Sequence, residues 1–195
     1  MTFRLNKNVT IIDLIKVYKK VIPNKICKNV ITRGENNSEW KKHTWASYKQ
    51  NNFLRSDINT DFVQQSIGSL SRLEIMPVIN ECIKNYIDEV SGLDQFKVNG
   101  VTIPNLNKYE LGTAMAPHLD HIYSIFNGTI KGIPILSIVG LLNDDFEGGD
   151  FVFWNDQVIK LEAGDILVFP SLFIYPHKVS IITKGTRYSV VSWAY

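Results

Sequence analysis

At 195 residues the chain is long enough for one domain with a sizeable buried core. Hydrophobic residues make up 45% and charged residues 21%, a globular rather than a disordered balance. A net charge of +2 with no arginine-rich run gives no reason to expect nucleic acid, and Lys19-Lys20 and Lys41-Lys42 are short enough to be solvated faces. Cys27 and Cys82 are too few and too far apart for a disulfide framework. They read as small buried apolar residues in a reducing compartment. The segment from Met1 to Asn6 lacks the apolar core of a signal peptide, and no stretch approaches about 18 apolar residues. The expectation is a cytoplasmic protein with no membrane partner.

The first half has a helical period. Ile11, Ile12, Leu14, Ile15 and Tyr18 suggest a helix or a strand–helix join ended by Pro23. Asn24 is placed to cap a short helix over residues 27–31. Residues 33–52 are polar, with Gly34, Asn36, Asn37 and two tryptophans, and read as an irregular loop with room for a short strand. Thr60 is placed to cap a helix to about residue 73, and Pro77 suits the first turn of the next. Val78, Ile79, Cys82, Ile83, Tyr86, Ile87 and Val90 then form one helical stripe, ended by Gly92.

After Phe96 the period becomes strand-like. Short apolar runs at 105–111, 135–142, 150–154, 158–161, 166–169, 177–181 and 186–193 are separated by Gly, Asn, Asp and Pro. So many short strands predict a sandwich or barrel. No Pro- or Ser-rich linker divides the halves, and the helical stripes need a sheet to bury them. A single domain over 1–195 is therefore expected, with helical support in 1–95 and a β core in 96–195.

The chemistry-bearing pattern is His118-x-Asp120, then His177, then Arg187. Residues i and i+2 of a strand share a face, so His118 and Asp120 can grip one ion while Leu119 and His121 point away. His177 must return beside them from a later strand. Two histidines and one carboxylate on one face of an octahedral metal leave positions open for a co-substrate and dioxygen, as in non-haem Fe(II) oxygenases. Arg187, ten residues past His177, opens an apolar strand where a buried guanidinium can hold a dicarboxylate.

From about Asn105 to Tyr195 the chain resembles the 2-oxoglutarate and Fe(II)-dependent dioxygenases, in particular the prolyl 4-hydroxylase-like branch. Seven blocks in order carry the resemblance. They are Lys108-Tyr109-Glu-Leu-Gly112, Pro117-His118-Leu-Asp120, the strand from Ile135 to Asn143, and Glu147-Gly-Gly-Asp150-Phe-Val-Phe153. Glu162-Ala-Gly-Asp165-Ile-Leu-Val-Phe169, Pro176-His177-Lys-Val179 and Lys184-Gly-Thr-Arg187-Tyr-Ser-Val-Val-Ser-Trp193 follow. The resemblance implies a mainly β chain with N-terminal helices: a double-stranded β-helix, or jelly roll, supported by packed helices. It implies Fe(II) held by His118, Asp120 and His177, and 2-oxoglutarate anchored through Arg187 and Tyr109. Dioxygen would be the second co-substrate, with ascorbate as a supporting reductant. There are departures. Many prolyl 4-hydroxylases carry Lys where Arg187 stands, Met115 stands where an aromatic is common, and some relatives carry a second tyrosine where Leu141 stands. Ser189, on the face of Arg187, is the candidate to complete that hydrogen bonding.

Other residues read as structure. Gly148-Gly149 predicts a turn, with Glu147 and Asp150 as solvated turn carboxylates rather than ligands. Asp144, Asp145 and the Glu162-to-Asp165 stretch read as turns, His43 as solvated, and Trp193 as core or pocket wall. Two aromatic, irregular segments, residues 40–53 and 123–132, suit a groove for an extended peptide, the second also a lid; a cap on the barrel end for the first and a passive surface loop for the second are the alternatives.

The resemblance thus implies hydroxylation of a substrate C–H, foremost a prolyl residue in a peptide or protein, with formation of succinate and CO2. Hydroxylation of a free amino acid or other small molecule is the alternative. A cupin-like metal-binding protein without turnover, a carbohydrate-binding jelly roll and a zinc hydrolase are further rivals. The metal-only rivals leave Arg187 unexplained, and the carbohydrate reading makes the His-x-Asp…His pattern a coincidence.

Overall fold

Strands with apolar side chains on both faces organise the fold. In the computed structural model, residues 9–43, 62–90, 98–120, 133–154 and 156–195 are described. A 3-10 turn at Ile11–Leu14 leads into β1 (Lys16–Tyr18), α1 (Asn24–Glu35), β2 (Lys41–Lys42), β3 (Val63–Ser66) and α2 (Ser69–Val90). Then come β4 (Asn105–Tyr109), β5 (Met115–His118), β6 (Leu136–Leu141), β7 (Glu147–Gly148), β8 (Phe151–Phe153) and β9 (Gln157–Ile159). The chain ends with β10 (Ile166–Pro170), β11 (His177–Val179), β12 (Ile182–Lys184) and β13 (Arg187–Ala194).

A seven-stranded sheet runs β1-β10-β6-β13-β4-β3-β2, and a four-stranded sheet runs β5-β11-β8-β9. All pairs are antiparallel within them. All six residues of β6 are buried, because one face meets the helices and the other meets the smaller sheet. One core layer packs Ile75, Ile79, Ile83 and Val30 of the helices against Ile138, Ile166 and Val190 of the large sheet. The second lies between the sheets and is aromatic: Tyr109, Phe151, Phe153, Phe169 and Tyr175. Each fully buried Phe there contributes about 1.5–3 kcal/mol of transfer free energy. This is the helix-supported jelly roll the sequence implied.

The N-terminal half departs from its expected division. Residues 63–66 form a strand on β4 rather than part of a helix. Thr60 and Gly92 lie outside the described residues. Asn24 is the first residue of α1, not its cap, and Pro23 precedes it. Pro77 sits inside α2 rather than at a helix start. A proline there removes the bond to the carbonyl four residues earlier. That residue, Leu73, is 71% exposed, so water can take the bond's place. The segment around Ile11–Tyr18 is a 3-10 turn joined to a strand, and β1 closes the edge of β10. Tyr86 donates to Leu14 O at 2.8 Å and Tyr175 to Ile11 O at 3.0 Å, fastening the turn to the core. The stripe on α2 is as read: Ile79, Cys82, Ile83 and Tyr86 are buried.

Candidate active site

The two histidines face each other across a strand pair. His118 ends β5, and its register partner on β11 is His177. Asp120 lies two residues past His118 in a bend beyond the strand, not on the strand itself. The His118 Nε2 still approaches Asp120 Oδ1 at 3.3 Å, and His177 Nε2 approaches the same oxygen at 3.7 Å. Ligand atoms of all three residues lie within 4.8 Å of one another. Leu119 is turned outward, and His121 lies outside the described residues.

Both rings are held in the tautomer a metal needs. His118 Nδ1 meets Ala116 O at 2.9 Å, and His177 Nδ1 meets Tyr175 O at 3.0 Å. A carbonyl only accepts, so each Nδ1 carries the hydrogen and each Nε2 presents a lone pair to the cluster. Burial pushes the His177 imidazole down to about 4, against the raising effect of Asp120, so it is neutral near pH 7. Burial raises the Asp120 carboxyl, but His177, His118 and a hydrogen bond from Ser137 outweigh it and leave the group well below the usual carboxylate range. Neutral imidazole and ionised carboxylate are the states that bind a metal ion. Phe151 stacks on the His177 ring at 5.1 Å and Phe169 meets it edge-on at 5.0 Å, keeping that side dry. The donor set fits a divalent iron with open positions.

The second element of the site is Arg187. It begins β13, directly opposite Tyr109 on β4, and is 1% exposed. Its Nη1 donates to Ser189 Oγ at 2.9 Å, and its guanidinium lies 5.1 Å from the Tyr109 ring centre. Its Nε has no hydrogen-bond partner, and no carboxylate pairs with it among the described residues. A buried charge in this condition calls for an anion. A cavity of about 50 Å³ opens beside it, lined by Leu141, Gly149, Phe151 and Leu161 among others. Gly149 has a φ of +62°, and a Cβ there would stand 2.9 Å from Arg187 Cδ, so glycine leaves the arginine its room. Tyr109 is buried, and burial pushes its phenol up to about 12; it also feels the Asp120 charge, which ties the arginine end to the histidine end.

Three further residues border this interior. Ser137 bonds Ser171 at 2.6 Å and supports Asp120. Trp193, the expected core or wall residue, has a buried Nε1 without a partner. Asn107 is buried one alternation step before Tyr109. Sequence reading missed Ser137 and Asn107, though both are polar residues inside runs read as strands. The carboxylates read as solvated turn groups form surface ion pairs instead: Glu147, on β7, pairs with Lys184 at 2.7 Å and Asp150 with Lys160 at 2.6 Å, and neither belongs to the metal cluster. His43 is not simply solvated, since it stacks on Phe62 at 4.7 Å. Of the two aromatic segments, 44–53 and 123–132 lie outside the described residues.

Residues 104–195 match the model of the 2OG-Fe(II) oxygenase superfamily. A PKHD-type hydroxylase of Delftia acidovorans is 33% identical over 98 residues, covering 47% of this chain and 42% of that protein. Another from Acinetobacter baumannii is 34% identical over 96 residues, covering 46% and 41%. The chain thus spans about four-tenths of the length of these curated relatives. Among solved structures, a Trichoplax adhaerens prolyl hydroxylase in complex with a hypoxia inducible factor peptide fragment has a TM-score of 0.68 at 17% identity, covering 93% of this chain and 83% of that one. A Pseudomonas putida prolyl-4-hydroxylase has 0.66 at 17%, covering 93% and 91%. A viral collagen prolyl hydroxylase from Paramecium bursaria Chlorella virus-1, as a 2OG complex, has 0.67 at 12%, covering 93% and 95%. By fold the chain is a double-stranded β-helix, and by the sequence of residues 104–195 it is similar to the 2OG-Fe(II) oxygenases of prolyl 4-hydroxylase-like type.

Proposed function

We propose that this chain is an Fe(II)- and 2-oxoglutarate-dependent dioxygenase that hydroxylates a substrate C–H, forming succinate and CO2. One observation carries the reading: a two-histidine, one-carboxylate cluster shares an interior with a buried arginine that has no carboxylate partner among the described residues. A metal-only protein has use for the first and none for the second.

His118, Asp120 and His177 would hold the iron, which when bound supplies the dioxygen chemistry. Arg187 would grip the distal carboxylate of 2-oxoglutarate, with Ser189 fixing the guanidinium from its other side. Tyr109 would donate its hydroxyl to the co-substrate; its raised pKa keeps the proton in place at neutral pH. Phe151 and Phe169 exclude water from the ligand rings. Ascorbate would serve as a supporting reductant.

The proposed prime substrate is a prolyl residue within a peptide or protein. The relatives are named hydroxylases, and one structural neighbour holds a peptide. This chain also carries an exposed apolar strip, Leu172, Phe173 and Ile174, beside the cluster. It follows Ser171, which bonds the Ser137 that supports Asp120, and it leads to Tyr175, whose carbonyl orients His177. Such a strip suits an extended peptide laid across the metal end. Incubation with Fe(II), 2-oxoglutarate and either proline-containing peptides or free proline tests this by mass spectrometry. A gain of one oxygen on a peptide supports the reading, and efficient hydroxylation of free proline alone would replace it with the small-molecule alternative.

A further inference from the structure

The strand that carries Arg187 loses its neighbour where Arg187 begins it. β6 pairs with β13 as far as Leu141 opposite Ser189, and one more backbone bond runs from Leu142 N to Tyr188 O at 3.0 Å. Two polar groups of β13 then remain on that side, the Thr186 carbonyl and the Tyr188 N–H, one just before Arg187 and one just after it. A single side chain takes both. Asn143 Nδ2 donates to Thr186 O at 2.7 Å, and Asn143 Oδ1 accepts from Tyr188 N at 2.7 Å. A primary amide carries the donor and the acceptor of a peptide unit, so Asn143 continues the ladder with its side chain where β6 has ended. Its second Nδ2 hydrogen goes to Asp145 Oδ1 at 2.5 Å, and these three partners settle which end of the amide is which.

Arg187 is thereby held from both sides. Its register partner on β4 is Tyr109, and on the other side the amide grips the peptide groups that flank it. The turn into β13 rests on the same loop: Gly185 has a φ of +73°, and a Cβ there would stand 2.7 Å from Asp145 O. A carboxylate bound in the two-pronged manner depends on the direction of the guanidinium as well as its charge. A small pivot at the start of the strand moves the far end of this long side chain most. Asn143 also borders a cavity of about 410 Å³ between α1 and the large sheet, lined by Cys27, Ile31, Asp144 and Tyr188 among others. Shortening the side chain there admits water rather than leaving a dry void in the core.

We propose that Asn143 is a positioning residue for the co-substrate arginine: its amide stands in for the missing strand beside β13 and fixes the backbone on either side of Arg187, which aims the guanidinium at the distal carboxylate. The inference rests on the reading of this interior as a 2-oxoglutarate site. Asn143 lies outside the pocket and acts through Arg187, not on the co-substrate itself.

The test compares two ligands by calorimetry on protein loaded with Mn(II), so that no turnover is needed. One is 2-oxoglutarate. The other is 2-oxopentanoate, which has the same chain length and the same metal-binding end but no distal carboxylate for Arg187. Asn143→Ala is expected to weaken 2-oxoglutarate binding about fivefold, the scale of one hydrogen bond, and to leave 2-oxopentanoate binding unchanged. A merely structural role would lower both. In an Arg187→Met background the same change is expected to cost nothing further, because the group it aims is gone. Asn143→Asp keeps the acceptor for Tyr188 but sets a carboxylate against the Thr186 carbonyl; it is expected to act in the same direction and replaces the alanine variant if that one does not fold. An equal loss for both ligands, an unchanged affinity for 2-oxoglutarate, or the same loss in the Arg187→Met background overturns the proposal. Arg187→Met separates the two levels. If it loses affinity while the Asn143 variants keep theirs, only the role of Asn143 fails; if it too binds normally, or the wild type does not bind, the co-substrate reading fails and takes this inference with it.

Discussion

Replacing Arg187 by methionine should uncouple the protein's stability from 2-oxoglutarate without lowering stability itself. The guanidinium is 1% exposed, its Nε is unpartnered, and among the described residues it meets the Ser189 hydroxyl at 2.9 Å and the Tyr109 ring at 5.1 Å but no carboxylate. Burial disfavours the charged form, and the Tyr109 contribution offsets this only in part. A buried ion without a counter-ion costs several kcal/mol, and an apolar side chain of similar volume in its place is often neutral or stabilising. An incoming carboxylate reverses the balance, through a charge-assisted pair worth about 1.5–3 kcal/mol. At a concentration of about 100 Kd, the ligand stabilises the folded state by about 2.7 kcal/mol. For a chain of 195 residues that is a rise in Tm of roughly 5–10 °C. Losing the pair weakens Kd by roughly 10- to 150-fold, so the same concentration then contributes only about 0.3–1.4 kcal/mol. Thermal unfolding of Mn(II)-loaded wild type and Arg187→Met, with and without 2-oxoglutarate, measures all four states. The expected result is an equal or higher Tm for the ligand-free variant and a shift at least halved. A variant that is several degrees less stable without ligand, yet keeps the full shift, would refute the reasoning.

The other expectations concern the metal cluster and the room around the arginine. His177→Ala should abolish metal binding in calorimetry and, with it, any turnover, since it removes one of three ligands that lie within 4.8 Å of one another. Gly149→Ala should lower Tm and weaken 2-oxoglutarate binding together, because it forces an alanine to a φ of +62° at about 1–2 kcal/mol and presses on Arg187 Cδ. The metal-free protein should lose stability as pH falls from 6.5 toward 4: the His177 imidazole is depressed from 6.5 to about 4, so the unfolded chain takes up the proton first. That contribution is complete above pH 6.5, and His177→Gln should flatten the slope of denaturant-measured stability over this window.

Much of the site was legible because strands make spacing meaningful. His177, Arg187, Tyr109 and Ser189 lie on strands readable as apolar runs, His118 ends a strand that only the His-x-Asp spacing marked, and the β11–β5 and β13–β4 registers bring them face to face. Asp120 joined the cluster from a bend rather than a strand, a difference that spacing alone does not reveal. The N-terminal half was less legible. Residues 63–66 carry two glutamines and a serine, with no apolar alternation to mark a strand; they pair because β4 presents an edge that needs covering. Pro77 misled because proline usually marks a helix start, whereas an exposed Leu73 turn lets α2 continue through it.

The most direct measurement of the central claim is succinate formed from 2-oxoglutarate by the purified chain, with Fe(II), dioxygen and a proline-containing peptide. The account predicts succinate in step with oxygen gained by the peptide, none without Fe(II), and none from Asp120→Ala, whose carboxylate faces both histidines at 3.3 and 3.7 Å. Peptide modification that proceeds without 2-oxoglutarate, or succinate that persists in Asp120→Ala, would contradict it.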